Sequence, residues 1–284
     1  MTLTLYRQHQ RLVDAGIHVS RSWLTQLVHR IAALLEPIYE AQRRSILAGA
    51  LIAMDETPIK AGRKERGKLK TTYFWPCYGE HDEVLFPWRE SRASPNVKEL
   101  LGDFRGVLLT DGYAAYGRYA ATTEGIVHAQ CWAHCRRHFH EAEDAEPQRA
   151  AEALEQIGAL YRAEGEIAAA NADDERTLQL RAERCRPIVD AFFAWCDEQL
   201  ADNALLPTNP LTEALSYARE RRTELSVFLD DPNVPLDTNH LERALRPIPM
   251  GRKNWLFCWT EIGAKYAGIV QSLLVTCRLH GVLP

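Results

Sequence analysis

The chain has 284 residues, 46% hydrophobic and 25% charged, with a net charge of −4. That composition suits a folded globular protein with a sizeable core and argues against one that coats nucleic acid indiscriminately. It holds no uninterrupted apolar run of about 18 residues, and Met1-Thr2-Leu3-Thr4-Leu5-Tyr6-Arg7 lacks the basic-then-apolar order of a signal peptide. The expected location is therefore cytoplasmic, with no membrane partner, and seven cysteines in no regular framework suit reduced thiols. Charge is uneven. Residues 141–183 hold 12 acidic and 4 basic side chains, a net of −8, which leaves +4 for the remainder.

Residues 5–45 read as helical. Leu12, Val13 and Ile17 flank Gly16, and Ser20 is placed to cap a second helix holding Trp23, Leu24, Leu27, Val28 and Ile31. Helix, glycine turn and capped helix outline a helix-turn-helix, an outline that any helical hairpin shares. The second helix continues past Pro37 with a kink. Ala50-Leu51-Ile52-Ala53-Met54 is a short apolar run suited to a buried strand, and it ends at Asp55. Lys60 to Lys70 reads as an exposed basic loop. Residues 71–78 and 83–88 read as a hairpin around Gly79-Glu80-His81-Asp82. Ser94-Pro95 opens a helix through Leu101, Gly106 to Thr110 is a second buried strand ending at Asp111, and a short helix and a strand at 125–128 follow.

From residue 129 onward the pattern is helical: Cys131 to Glu143, then 147–170, 173–201 and 208–229. Strands first and helices later give a mixed α/β sheet with a helical insertion over 145–235. The expected divisions are a helical linker over 1–46, a first core segment over 47–144, that insertion, and a closing core segment over 236–284. Ligands of open α/β sheets gather beyond the carboxyl ends of strands, where Asp55 and Asp111 fall.

The stretch Asp237-Thr238-Asn239-His240-Leu241-Glu242-Arg243-Ala244-Leu245-Arg246 fits a helix capped by Asp237 or Thr238, with Pro247 marking its stop. Asn239, Glu242, Arg243 and Arg246 then share one face, and Leu241 and Leu245 form an apolar stripe beside it. Asp55, Asp111 and Glu242 offer only oxygen donors, the ligand type of Mg²⁺ or Mn²⁺. Two such ions about 4 Å apart can clamp the attacking and leaving oxygens of a phosphoryl displacement. The three acids lie 56 and 131 positions apart, so only the fold can bring them together.

Met54-Asp55-Glu56-Thr57-Pro58, Leu109-Thr110-Asp111-Gly112-Tyr113, Cys131-Trp132-Ala133-His134-Cys135-Arg136-Arg137, the 237–246 stretch and Gly251-Arg252-Lys253-Asn254-Trp255-Leu256-Phe257 occur in that order. Together they resemble the catalytic domain of the insertion-sequence 66 type transposases, over residue 45 to the C-terminus. The resemblance implies a ribonuclease-H-like mixed sheet with flanking helices and a helical insertion before the last catalytic acid. It implies Asp55, Asp111 and Glu242 as an Asp-Asp-Glu triad holding two Mg²⁺ or Mn²⁺ ions. It also implies cleavage at transposon ends, strand transfer to target DNA, self-association when ends are paired, and association with the bacterial nucleoid. The family usually has Asp-Asn-Asn where this chain has Asp237-Thr238-Asn239, and its members are much longer. The chain therefore resembles a truncated copy, and two rivals stay open: a non-catalytic DNA-binding remnant, or a ribonuclease-H-like nuclease that hydrolyses without joining.

Cys131, His134, Cys135 and His138 would lie in a row about 10 Å long on one helix, which a tetrahedral zinc site cannot close around, so zinc is disfavoured. The resemblance instead makes Cys131 and His134 a structural or substrate-end feature beside the active site, and Asn239 is expected as a structural residue near it. Lys60, Arg63, Lys64, Arg136, Arg137, Arg243, Arg246, Arg252 and Lys253 are the candidate phosphate contacts. Arg219, Arg221 and Arg222 read as solvated surface. Trp255 and Trp259 could stack on an unpaired base, with burial in the core as the default.

Overall fold

The structure, a computed structural model, describes residues 4–202, 205–255 and 257–283, without the side chains of Asn254 and Trp255. In chain order it opens with α1 (Leu5–Asp14) and α2 (Arg21–Ala48). Six strands follow: β1 (Leu51–Met54), β2 (Thr57–Glu65), β3 (Lys68–Phe74), β4 (Cys77–Gly79), β5 (Val84–Leu85) and β6 (Trp88–Arg89). Next come α3 (Pro95–Leu101), β7 (Gly106–Thr110), α4 (Ala114–Thr122), β8 (Ile126–Gln130) and α5 (Trp132–Glu141). The helical stretch comprises α6 (Pro147–Ala169), α7 (Asp174–Leu180), α8 (Arg186–Leu200), α9 (Pro210–Glu220) and α10 (Arg222–Ser226). The chain closes with α11 (Asn239–Leu245), α12 (Pro247–Trp255) and α13 (Glu261–Leu279).

The fold is mixed α/β, consistent with a ribonuclease-H-like sheet. Its five-stranded sheet has the order β5-β4-β1-β7-β8, and a three-stranded sheet has the order β2-β3-β6. The chain forms two compact units, residues 1–106 with 240–284, and residues 107–239.

In the first unit, β1 is buried at every position because Leu51-Ile52-Ala53-Met54 is apolar on both faces. It pairs antiparallel with β4, Ile52 opposite Gly79 and Met54 opposite Cys77. Helix α13 docks on β5 through residues spaced one turn apart. A Cβ on Gly268 would lie 2.2 Å from the Phe86 carbonyl oxygen, so only glycine permits the approach. Ser272 Oγ then accepts from Phe86 N at 2.8 Å and Thr276 Oγ1 from Val84 N at 3.1 Å. Hydroxyls of a helix thereby satisfy the outer edge of a short strand. Pro37 sits inside α2 without ending it.

Two sequence expectations need correction here. Residues 60–70 are not a loop. Ile59 and Ala61 point inward while Lys60 points out, and this alternation carries β2 into a hairpin with β3. It turns at Arg66-Gly67, where Gly67 supplies the positive φ of 78°. Residues 71–78 accordingly do not form one strand: 68–74 joins β2 and β6, while Cys77–Gly79 pairs with β5. Pro76, which has no N–H to donate, separates the two segments. Pro247 does mark the end of α11, which stops at Leu245, and it also opens α12, a first-turn position where its missing donor costs nothing.

The core of the second unit is aromatic. Trp132, Phe139, Phe192 and Phe193 are each no more than 1% exposed, with Trp132 edge-on to Phe192 at 5.4 Å and its indole N–H donating to Leu225 O. A one-turn π-helix, Arg181–Cys185, joins α7 to α8. Arg181 is 4% exposed, yet its guanidinium is fully engaged: Nε donates to the Glu164 carboxylate, and Nη1 donates to the carbonyls of Phe228 (2.6 Å) and Asp231 (2.8 Å).

Candidate active site

In the first unit, Asp55 directly follows β1, with its N–H donating to Pro76 O at 3.3 Å. Its Oδ1 accepts from Glu56 N at 2.7 Å, which turns the chain into β2. Glu56 is the acidic residue that sequence reasoning passed over. Its side chain is only 2% exposed, and its Oε1 accepts from Arg92 Nε at 2.7 Å and also from Arg92 Nη2. A buried carboxylate needs such a partner. The signal was present in the adjacent Asp-Glu pair, but nothing in the sequence links it to Arg92.

Glu242 stands in the first turn of α11, half-buried, where the helix dipole favours a carboxylate. Leu241 and Leu245 are buried beneath it, so the apolar stripe holds this short helix down. Arg243 and Arg246 are exposed on the same helix and its end. Arg252 donates to the carbonyl of Pro58, and Cys258 N donates to Lys60 O at 2.9 Å. Arg252 and Cys258 therefore lie against the β2 strand. This brings the Lys60 and Arg252 clusters together within one unit. Lys60 itself donates to Thr71 Oγ1, and Arg63, Lys64 and Lys253 are exposed. Trp259 departs from its expected place in the core: it is 67% exposed, against Phe257 at 5.7 Å. The Trp255 side chain lies outside the described residues.

In the second unit, Asp111 directly follows β7, and its Oδ1 accepts from Tyr113 N at 2.9 Å, a turn that starts α4. Thr110 Oγ1 donates to Asp111 O and meets His128 Nε2 at 2.9 Å. With its own proton committed, the hydroxyl accepts from the imidazole, which fixes the proton of neutral His128 on Nε2. Burial, then the charge of Arg221, pushes His128 down to about 4, against the pull of Asp111. Gly112 leaves room for Tyr217, whose hydroxyl would lie 2.6 Å from a Cβ there. Tyr217 packs against both His138, ring centroids 4.1 Å apart, and the Arg221 guanidinium, 4.0 Å from its ring. Arg221 is thus not the solvated side chain that its cluster implied; it packs beside Asp111's neighbours because the turn after α9 folds it back over Tyr217.

Cys131 joins β8 to α5, His134 lies in the first turn of α5, and Asn239 opens α11. Cys131 N donates to Thr110 O, and its Sγ accepts from both N and Oγ1 of Thr238 at 3.3 Å. Asp237 Oδ1 accepts from Asn239 N at 2.9 Å, and its Oδ2 accepts from Tyr161 O–H at 2.9 Å and from the Asn239 amide. Asp237 therefore caps the start of α11, while Thr238 is spent on the thiol. Cys135 is fully buried, and burial pushes its thiol well up. His134 lies half-buried on α5, and Arg136 and Arg137 are exposed there.

The sequence profile described as "Transposase IS66 family" matches residues 1–266. The chain belongs to that family. It is 30% identical over 298 aligned positions to uncharacterized protein y4qI of Sinorhizobium fredii, which covers 99% of this chain and 54% of the relative. Uncharacterized proteins y4hP (28%) and y4jD (29%) of the same organism match 99% of this chain as well. The chain spans about half the length of these curated relatives, 54% to 57%. No described helix is long and apolar enough to cross a membrane.

Proposed function

We propose that the chain is the catalytic part of a DNA transposase, with Asp55, Asp111 and Glu242 as its Asp-Asp-Glu triad. The observation that carries the metal site is the acidic grouping at the strand ends: among the described residues, Asp55, Glu56 and Asp111 are the acids that could share an ion. Glu242 is not in that grouping and enters the triad through the resemblance of its stretch to the family. Membership of a transposase family supports the same reading. The donor set fits the expected cofactor, since carboxylate oxygens suit Mg²⁺ or Mn²⁺ and no thiolate or imidazole is among them. Two divalent ions bound there would activate first water and then a 3′ hydroxyl, and would offset charge on the scissile phosphate.

The chain's own residues would do the positioning. Asp55 and Asp111 are held by their own turn hydrogen bonds, which fix the carboxylates before any ligand arrives. Asp237 caps the helix that presents Glu242. Lys60, Arg63, Lys64, Arg136, Arg137, Arg243, Arg246, Arg252 and Lys253 would contact DNA phosphates at transposon ends and target, giving salt-sensitive binding. Self-association would pair two ends, and the working place would be the bacterial nucleoid. A nuclease reading predicts nicking of labelled transposon-end DNA in Mn²⁺ without joined products. A DNA-binding remnant predicts binding without nicking, unchanged by Asp111→Ala. The transposase reading predicts both nicking and joining, and loss of both in Asp111→Ala.

A further inference from the structure

Where α11, α12 and α13 meet in the first unit there is a cleft of about 760 Å³, within the size range of ligand sites. Arg243, Arg246 and Arg278 line it, and among the described residues no aspartate or glutamate does. All three arginines are exposed, and none of them makes an ion pair among the described residues. The remainder of the wall is of a different kind. Met250, 68% exposed, and Leu279, 39% exposed, present apolar surface to solvent beside those charges. Gln271 adds an amide with both donor and acceptor capacity.

Each half of this lining narrows the occupant. Three guanidinium forks without an ion pair among the described residues call for phosphate or carboxylate, which they grip in bidentate fashion. Inorganic phosphate would leave the apolar wall wet, and a purely apolar ligand would leave three cations unanswered. A nucleotide satisfies both, with its base against Met250 and Leu279, its edge toward Gln271, and its phosphates on the arginines. In a duplex the base is stacked and paired, so it must be out of the helix to enter. We propose that this cleft binds one unpaired nucleotide of a DNA strand. The proposal rests on the reading of the chain as DNA-processing and adds where a single-stranded end would be held. Arg278 and Gln271 are its new members; neither is among the phosphate contacts expected from the sequence.

The test uses the full 284-residue chain and a fluorescent single-stranded DNA hexamer, with anisotropy as the readout. A second hexamer has the same backbone but lacks one internal base at a time. The expected result is a loss of about tenfold on removing one particular base, in keeping with the contribution of single stacked bases. Arg278→Glu should lower hexamer affinity by a similar factor while circular dichroism shows an unchanged fold. Equal binding of intact and abasic strands would overturn the proposal and leave simple phosphate contact. Hexamer binding untouched by Arg278→Glu would overturn it too. So would a concentration-dependent dimer that Arg278→Glu dissolves without any effect on the hexamer, because a second copy would then be the occupant. Mn²⁺-dependent nicking of duplex is measured alongside. Nicking with no base-dependent capture sinks the cleft and leaves the transposase reading standing, whereas capture without nicking sinks the transposase reading and leaves the cleft.

Discussion

Two sets of arginines, one in each unit, are used in opposite ways. In the second, Arg181 is 4% exposed and every direction of its guanidinium is answered, by Glu164 and by two carbonyls from the turn after α10. In the first, Arg243, Arg246 and Arg278 stand around a cleft with no acid among the described residues of its lining. A buried guanidinium is tolerable only when paired and hydrogen-bonded, so Arg181 is a structural clamp on a π-helical turn. Exposed cations gathered without partners cost the fold little and gain their partner from outside. The difference separates residues that hold the protein together from residues that hold a ligand.

That contrast can be broken by experiment. The largest effect is expected at the clamp. Arg181→Ala would leave the part-buried Glu164 carboxylate without its cation, a change worth about 3–5 kcal/mol, read as a drop in urea midpoint with unchanged slope. A loss below about 1 kcal/mol would place Arg181 with ordinary surface pairs.

Next in size is a pH effect near Asp111. His128 is held neutral by burial and by Arg221, at about 4 against 6.5 in the free side chain. The unfolded chain therefore takes up a proton below pH 6.5 that the folded chain refuses until about pH 4. Stability is full above pH 6.5 and falls between those values, by on the order of 3 kcal/mol. Replacing His128 with glutamine, measured in metal-free buffer, should flatten that part of the stability profile; an unaltered slope would contradict the assignment.

The smallest effect belongs to the cleft. Arg278→Ala should shift stability by no more than about 0.5 kcal/mol, although the same arginine is needed for single-strand capture. A larger loss would mean that Arg278 serves the fold, as Arg181 does.

How much of this was legible in the sequence depends on how local each signal is. Leu51–Met54 and Gly106–Thr110 show themselves as buried strands because apolar runs ending in aspartate have few other readings. The helices from α5 to α9 follow from their periodicity and prolines. The β2–β3 hairpin was misread because its charges, Lys60, Arg63, Lys64 and Lys68, drew more notice than the alternation of Ile59 and Ala61 beneath them. Site neighbours contributed by distant segments carried no local mark. Tyr217 reaches Gly112, Arg221 acts on His128, and Arg92 reaches Glu56 only through the fold. Arg278 was hidden in the last turn of a helix whose other face packs on β5.

The central claim is that strand-end carboxylates run divalent-metal phosphodiester chemistry on DNA. Its most direct test is cleavage of labelled transposon-end duplex by the purified chain in Mn²⁺, comparing wild type with Asp111→Asn, which keeps the size of the side chain and its capacity to accept from Tyr113 N. The account predicts nicked and joined products from the wild type, and a fall of at least about a hundredfold in the variant, the scale on which loss of a group essential to the transition state is felt, with DNA affinity unchanged. Equal cleavage by both proteins would contradict it.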